Sequence, residues 1–183
     1  MRATRCPAHD NGLVEKMGWF EPSYHVPCIV RDPRRTSDTG RVVEAFTENV
    51  DIFPTMCELL GVDIPRQCDG RSLVPFLEGG TPDEWRDSAH WEFDWRLFQP
   101  GATTSRWPDD RRGARHNLAV RRTVDSAYVQ FADGRSLLYD CLADPHWQTP
   151  IDDPLRELDH ARAMLAWRAE HTDRTLTGRF LLG

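Results

Sequence analysis

The feature that most constrains the fold is the run HVPCIV at residues 25–30, which is apolar without polar alternation and ends at the turn Arg31-Asp32-Pro33. A strand with one solvent-exposed face alternates apolar and polar residues, whereas a strand in a parallel sheet covered by helices is apolar on both sides. The run therefore predicts a β-strand buried on both faces. A short edge strand is expected to follow at residues 41–46.

A helix is predicted for residues 47–61. Asp51 is favoured near a helix N-terminus by the helix dipole, Pro54 is tolerated in a first turn, and Gly61 is a typical C-terminal residue. Four apolar residues fall at helical spacing: Ile52, Met56, Leu59 and Leu60. Further along, Ser72 is a suitable cap for a short helix through residues 76–77.

The second half of the chain predicts a small antiparallel sheet and a helix. Strand patterns occur at residues 89–93, 117–121, 126–131 and 136–140, and the turn at residues 132–135 (ADGR) predicts a hairpin between the last two. Residues 155–167 have the apolar spacing of a helix of about four turns, which we expect to pack on the sheet. Residues 97–115 have no periodic pattern and predict a flexible connection.

Composition excludes several classes of protein. The net charge of −6, from 23 basic and 29 acidic side chains, argues against nucleic acid as a partner. No apolar run approaches the ~20 residues that span a bilayer, and no signal peptide is visible, so a soluble, cytoplasmic protein without a membrane partner is expected. The five cysteines include no CxxC pair, which argues against a zinc site or a disulfide framework.

Five motifs in a fixed order carry a resemblance to a known family: GLVEKMGWFEPSYHVPCIVRDP from Gly12, TENVDIFPTMCELLGVDIP from Thr47, CDGRSLVPFL from Cys68, HWEFDWR from His90 and WRAEHTDRTLTG from Trp167. On these motifs the chain resembles the sulfatase branch of the alkaline phosphatase superfamily, and within it phosphonate monoester hydrolases and arylsulfatase-like enzymes. The resemblance covers most of this chain but only the C-terminal part of those longer enzymes.

The resemblance implies an α/β fold, made of the C-terminal part of an alkaline-phosphatase-like α/β/α domain plus a small antiparallel sheet with a C-terminal helix. The expected division is residues 1–100 for the α/β portion, 101–116 for a flexible loop and 117–183 for the small subdomain. The tail ends on the apolar residues Phe180, Leu181 and Leu182, a composition typical of a segment docked on a neighbour or another subunit.

The resemblance also implies a chemistry whose principal groups this sequence lacks. In the family a Cys or Ser in a CxPxR motif becomes formylglycine, which attacks the sulfur or phosphorus centre with a divalent cation (Ca, Mn or Mg) nearby. No cysteine here has that surrounding, and the family's cation-binding Asp and His have no counterparts in register, since His9 and Asp10 are displaced from it. We therefore expect no metal site in this chain.

One functional residue carries over from the resemblance. Lys16, the only lysine of the chain, matches the family lysine that contacts an oxygen of the sulfate or phosphoryl group, where a compact ammonium neutralises developing charge. A solvated loop lysine is the alternative interpretation. Trp19, Tyr24 and His25 are weaker candidates for the substrate pocket, with packing or strand capping as their alternatives.

The sequence therefore predicts a sulfatase-family hydrolase fragment, inactive by itself, whose intact relatives hydrolyse small sulfate or phosphonate esters. Two alternatives remain: a non-catalytic assembly or interaction module, and one half of a split enzyme. The corresponding partners are another copy of the chain or a missing N-terminal half.

Overall fold

The computed structural model describes residues 17–34, 40–95 and 113–171. In chain order the helices and strands are α1 (Glu21–Tyr24), a 3-10 helix (Asn49–Asp51), α2 (Ile52–Leu60), α3 (Val74–Leu77), β1 (Ser88–Phe93), a second 3-10 helix (Gly113–His116), β2 (Leu118–Thr123), β3 (Ser126–Phe131), β4 (Ser136–Asp140) and α4 (Pro154–Glu170).

The four strands form one antiparallel sheet in the order β1-β2-β3-β4. Trp91 of β1 lies opposite Val120 of β2, which lies opposite Val129 of β3. Gly134, with φ +94°, closes the β3–β4 hairpin in the left-handed conformation that glycine adopts without a Cβ penalty. The four strands predicted in the second half of the chain and the hairpin between the last two are confirmed.

The sheet has two buried faces, because alternate residues of each strand point to opposite sides. One face carries a core of Val120, Val129, Tyr139 and Trp147, against which Trp19, Phe20 and Trp91 pack. The other face contributes Ala119, Tyr128 and Leu138, which pack on Met164 of α4. The two hydrophobic clusters therefore lie on the two faces of the sheet, with aromatic packing on one face and α4 on the other.

Helix α4 confirms the predicted C-terminal helix and its packing on the sheet. It begins where the Asp153 side chain accepts a hydrogen bond of 3.1 Å from the backbone N–H of Arg156, and Pro154 occupies the first turn. His160 and Met164 are its buried residues and face the sheet, whereas Leu155 is exposed.

Helix α2 also forms as predicted, but its buried side is not the predicted one. Gly61 ends it with φ +68°, in the left-handed conformation, and its N–H reaches the carbonyls of the last turn. The buried residues are Pro54, Thr55 and Cys57, whereas Ile52, Met56 and Leu60 of the predicted apolar stripe are exposed. Leu59 is half-buried.

The two strands predicted at residues 25–30 and 41–46 are wrong. Both segments are irregular, and Val26, Ile29 and Val30 are exposed. A parallel strand is stable only with neighbouring strands to accept and donate its backbone hydrogen bonds. The single sheet of the described residues is the antiparallel β1–β4, and neither segment pairs with it.

The expected division into residues 1–100, 101–116 and 117–183 stays a prediction. Strand β1, from the first of these ranges, pairs along its whole length with β2 from the last. Most of the predicted connection and the apolar tail lie outside the described residues.

None of the helices in residues 17–34, 40–95 and 113–171 combines the length and the apolar character needed to cross a membrane.

The cysteines within the described residues are free thiols: Cys28, Cys57, Cys68 and Cys141. Burial raises the pKa of Cys141 to about 11, so this thiol stays protonated near neutral pH.

Candidate functional site

The strongest residue predicted from sequence, Lys16, lies just outside the described residues, as do Cys6, His9 and Asp10. The structure begins one residue later, at Met17. The segment that follows Lys16 is described in full and shows how the chain is held immediately after it.

Trp19 anchors that segment to the sheet. Its ring stacks on Phe20 with centroids 4.9 Å apart and meets the edge of Phe131, at the end of β3, at 5.5 Å. These contacts place Trp19 at the margin of the aromatic core.

Tyr24 anchors the same segment from the other end of α1. Its hydroxyl donates a 2.9 Å hydrogen bond to the carbonyl of Gly18, and its ring stacks on Trp91 of β1 at 5.1 Å. Burial raises the pKa of Tyr24 to about 12, which keeps the phenol protonated and suited to hydrogen-bond donation. The hydrogen bond to Gly18 fixes the backbone two residues after Lys16.

His25 differs from the other two pocket candidates. Its side chain is 77% exposed, and Nδ1 lies 3.1 Å from the Glu21 carboxylate, one helical turn back. The other oxygen of Glu21 lies 3.5 Å from Nε of Arg122. The structure thus brings Trp19 and Tyr24 together on one face of the sheet, while His25 faces away. A substrate role for Trp19, Tyr24 and His25 stays a prediction.

Sequence reasoning missed a buried ionic centre around Asp51. The Asp51 side chain is fully buried and receives both terminal guanidinium nitrogens of Arg86, one of them at 2.7 Å. It also accepts the backbone N–H groups of Glu48 and Arg71, each at 2.8 Å. Four donors on one carboxylate satisfy its hydrogen-bonding capacity. This centre joins the start of α2 to the turn before α3 and to the approach to β1, so it organises the scaffold.

His90 connects the Asp51 centre to helix α4. The backbone N–H of His90 donates to Glu48 at 2.8 Å, and its ring stacks on Trp167 of α4 at 4.3 Å. Burial, and then the positive charge of Arg121, lowers the pKa of His90 to about 4. The ring is therefore neutral near pH 7 and serves as an aromatic surface for α4.

Ser126 and His160 form a serine–histidine pair on the α4 side of the sheet, with Ser126 Oγ 2.9 Å from His160 Nε2. The third partner is Arg121, whose guanidinium lies 3.1 Å from Nδ1. An arginine only donates, so Nδ1 accepts and Nε2 carries the proton. In a catalytic triad the histidine instead accepts the serine proton at Nε2 and donates from Nδ1 to a carboxylate. This pair is therefore a structural contact.

A groove of about 460 Å³ lies between the sheet and α4. Its floor includes Tyr128 and Met164, and its rim includes Glu92, which accepts a 3.0 Å hydrogen bond from Arg168. The rim groups are engaged in ion pairs and hydrogen bonds, and no nucleophile–base pair faces the groove within the described residues. The groove therefore has no arrangement of side chains that matches the ester hydrolysis in which Lys16 is expected to take part.

The described residues also do not fit the divalent cation implied by the resemblance. No group of three or more His, Cys, Asp or Glu side chains converges within residues 17–34, 40–95 and 113–171. Hard cations require several oxygen ligands, and the described residues do not offer such a set.

The fold and the ordered motifs define a C-terminal region of the sulfatase type. The family described as N-sulphoglucosamine sulphohydrolase, C-terminal, matches residues 9–103, just over half of the chain. A multifunctional alkaline phosphatase superfamily protein, PehA of Trinickia caryophylli, is 38% identical over 175 residues, covering 92% of this chain and 33% of PehA. Arylsulfatase K of Xenopus laevis is 28% identical over 141 residues, covering 74% of this chain and 24% of that protein.

The structural comparison agrees with the sequence comparison. The crystal structure of the phosphonate monoester hydrolase of Agrobacterium radiobacter matches with a TM-score of 0.76 and 42% identity, over 90% of this chain and 33% of that protein. The chain therefore belongs to the sulfatase family of the alkaline phosphatase superfamily, as the motifs predict. It spans about a quarter to a third of the length of these relatives.

Proposed function

We propose that this chain is the C-terminal part of a sulfatase-type ester hydrolase and that it contributes scaffold and one active-site lysine to the hydrolysis of sulfate or phosphonate monoesters. The observation that carries the proposal is the match over 92% of the chain to only 33% of PehA of Trinickia caryophylli. Such a match supports a role as one region of a larger catalytic unit.

Lys16 is the residue that contacts the substrate in this proposal. The nucleophile expected for the family is missing, because none of the cysteines lies in a CxPxR sequence. A lysine ammonium next to a transferring sulfuryl or phosphoryl group stabilises the oxygens on which negative charge develops. Lys16 therefore assists a reaction whose attacking group comes from outside these 183 residues.

Trp19 and Tyr24 support Lys16 as positioning residues. The hydrogen bond from Tyr24 to the Gly18 carbonyl and the packing of Trp19 on Phe131 fix the chain two and three residues after Lys16. A lysine has four rotatable side-chain bonds, so a fixed backbone limits the volume its ammonium explores.

The first test is the activity of the purified 183-residue chain. With an aryl sulfate or an aryl phosphonate monoester and Ca, Mn or Mg, we expect no hydrolysis above the buffer rate. Turnover that disappears in Lys16→Ala would show that this chain holds a complete active site and would contradict the proposal.

The second test places the chain in its proposed context. A chimera of PehA in which this chain replaces the matching segment should hydrolyse a sulfate or phosphonate ester, and Lys16→Ala should lower kcat about 10²–10³-fold. Tyr24→Phe should lower kcat less, because only a positioning bond is lost. An active chimera in which Lys16→Ala leaves kcat unchanged would remove Lys16 from the mechanism.

A non-catalytic assembly role is the second candidate, favoured by the apolar residues Phe180, Leu181 and Leu182 of the tail. Light scattering of the full-length chain and of a variant lacking residues 180–182 distinguishes a tail-dependent oligomer from a monomer. If both are monomers, self-assembly through the tail is excluded.

A further inference from the structure

We propose that the groove between the sheet and α4 is the docking site for the tail of the same chain, residues 172–183, with the apolar residues 180–182 seated in it. The tail lies outside the described residues, which end at His171. The inference does not rest on the proposed function, because neither Lys16 nor its positioning residues take part in it. It competes with assembly through the tail, which would place the same apolar residues on a second copy.

The groove has an apolar floor and an exposed apolar wall. Tyr128 and Met164 line its floor and belong to the hydrophobic cluster beneath α4. Leu165 lines the same groove, yet it is 68% exposed. Sites that bind apolar groups are typically concave, largely apolar and bordered by a small number of polar side chains, and this groove has that character. An apolar segment seated in it would cover Leu165 and extend the cluster.

The tail starts from a fixed point close to the groove. His171, the residue after α4, donates its backbone N–H to the Trp167 carbonyl at 3.0 Å, and its ring stacks on Trp167 with centroids 4.9 Å apart. Trp167 stacks in turn on His90 of β1 at 4.3 Å. Arg168, which lines the groove, precedes His171 by less than one helical turn. The chain therefore leaves α4 beside one end of the groove.

The segment between α4 and the apolar residues is long enough to turn back along the helix. Residues 172–179 separate His171 from Phe180. When extended, a segment of this length spans up to ~26 Å. Leu165 lies only ~9 Å from His171 along the helix axis. Phe180 can therefore reach the groove even when part of residues 172–179 forms a turn.

The charges next to the apolar residues are complementary to those of the groove. The charged side chains that line the groove are Glu92, Asp94 and Arg168, two carboxylates against one guanidinium, which gives a net charge of −1. Arg179 directly precedes Phe180, so insertion of Phe180 brings a positive charge to the groove. Because salt screens exposed charges, these groups contribute more to the orientation of the tail than to its affinity.

The test places the photoreactive residue p-benzoylphenylalanine in the 183-residue chain in place of Phe180. Irradiated benzophenone forms a bond with a nearby C–H group. Two methionines report different apolar surfaces, since Met164 lies in the groove and Met56 lies on the exposed side of α2. We expect a product with the mass of a single chain whose cross-link lies in the tryptic peptide 163–168, which contains Met164.

Two matched variants make the test specific. Leu165→Asp should lower the yield of this cross-link at least ~10-fold, because seating Phe180 would desolvate the new carboxylate. Leu142→Asp should leave the yield unchanged. Leu142 is 71% exposed, close to the value for Leu165, but it follows β4 at the end of the sheet opposite the groove. Equal yields from the two variants would overturn the assignment.

Other cross-linking results would also contradict the proposal. A product with the mass of two chains would mean that the tail docks on a second copy. A cross-link to the peptide containing Met56 would place the tail on α2, and the absence of any cross-link would show that the tail does not dock. A cross-link to Met164 from the same probe at Phe98, with none from position 180, would assign the groove to the segment before β2 instead.

Discussion

Arg86 and Asp51 form a buried, bidentate ion pair between residues that are 35 positions apart in the sequence. Because Asp51 also accepts two backbone N–H groups, the pair connects the start of α2, the turn before α3 and the segment leading into β1. Its removal should therefore affect the whole arrangement of these elements.

Asp51→Asn should lower the free energy of unfolding by about 3–5 kcal/mol, because it removes the nearer counter-charge of the largely buried Arg86 guanidinium and leaves Glu48, whose carboxylate lies 3.9 Å away. Urea denaturation measures the loss. Asp133→Asn is the control, since its partner Arg135 is on the surface, where solvent screens the charges and such pairs contribute little to stability. Equal destabilisation by the two variants would mean that the buried pair has no special role.

Gly70→Ala should destabilise the chain by about 3 kcal/mol through overpacking. A Cβ at position 70 would lie 2.0 Å from the carbonyl oxygen of Val50 and 2.8 Å from the backbone nitrogen of Asp51, so the backbone around Asp51 has to move. Gly80→Ala is the matched control, because its Cβ would meet only one atom, the Pro75 carbonyl oxygen, at 3.2 Å. Thermal unfolding of both variants checks the difference, and a Tm for Gly70→Ala equal to that of Gly80→Ala would contradict it.

His160 should make stability depend on pH. Burial, and then the charge of Arg121, lowers its pKa from 6.5 to about 4, so between these values the unfolded chain binds more protons than the folded one. Its contribution is fully present above about pH 6.5 and is lost as the pH falls toward about 4, on the order of 3 kcal/mol in all. His90, with its pKa also lowered to about 4, acts in the same direction.

Urea denaturation from pH 7 to pH 4 measures this dependence, and His160→Gln should remove the part due to His160 and leave the part due to His90. Tyr128→Phe is the control, because it keeps the ring that stacks on His160 at 5.6 Å and leaves the imidazole in place. If His160→Gln retains the full pH dependence of the wild type, protonation of His160 is not linked to unfolding.

Asp153→Ala should cost about 1 kcal/mol by removing the N-cap of α4, whose side chain accepts the Arg156 N–H at 3.1 Å. Circular dichroism during urea denaturation follows the loss. Asp152→Ala changes an exposed neighbouring aspartate outside the cap and should have an effect within about 0.5 kcal/mol. A larger loss from Asp152→Ala than from Asp153→Ala would place the cap elsewhere.

The candidate site shows why sequence reasoning reached some residues and missed others. Lys16 was found because a motif places it, and its position relative to any substrate stays a prediction. Trp19 and Tyr24 are singled out by the same motif, and their substrate role stays a prediction; their contacts with Phe131 and Trp91 depend on β3 and β1, which are distant in sequence. The Asp51–Arg86 pair leaves no local signal, because each residue alone is compatible with an exposed helix end or turn.

The sequence by itself determined the elements that depend on neighbouring residues: the β3–β4 hairpin with Gly134, helix α2 with its end at Gly61, helix α4, and membership of the sulfatase family through ordered motifs. Propensity, capping and turn chemistry act over a few residues, so a pattern is enough to predict them. The tertiary structure alone decided which side of α2 is buried, where residues 25–30 lie and what pairs with Asp51. Those outcomes depend on which partners are present to cover an apolar face, complete a sheet or neutralise a charge.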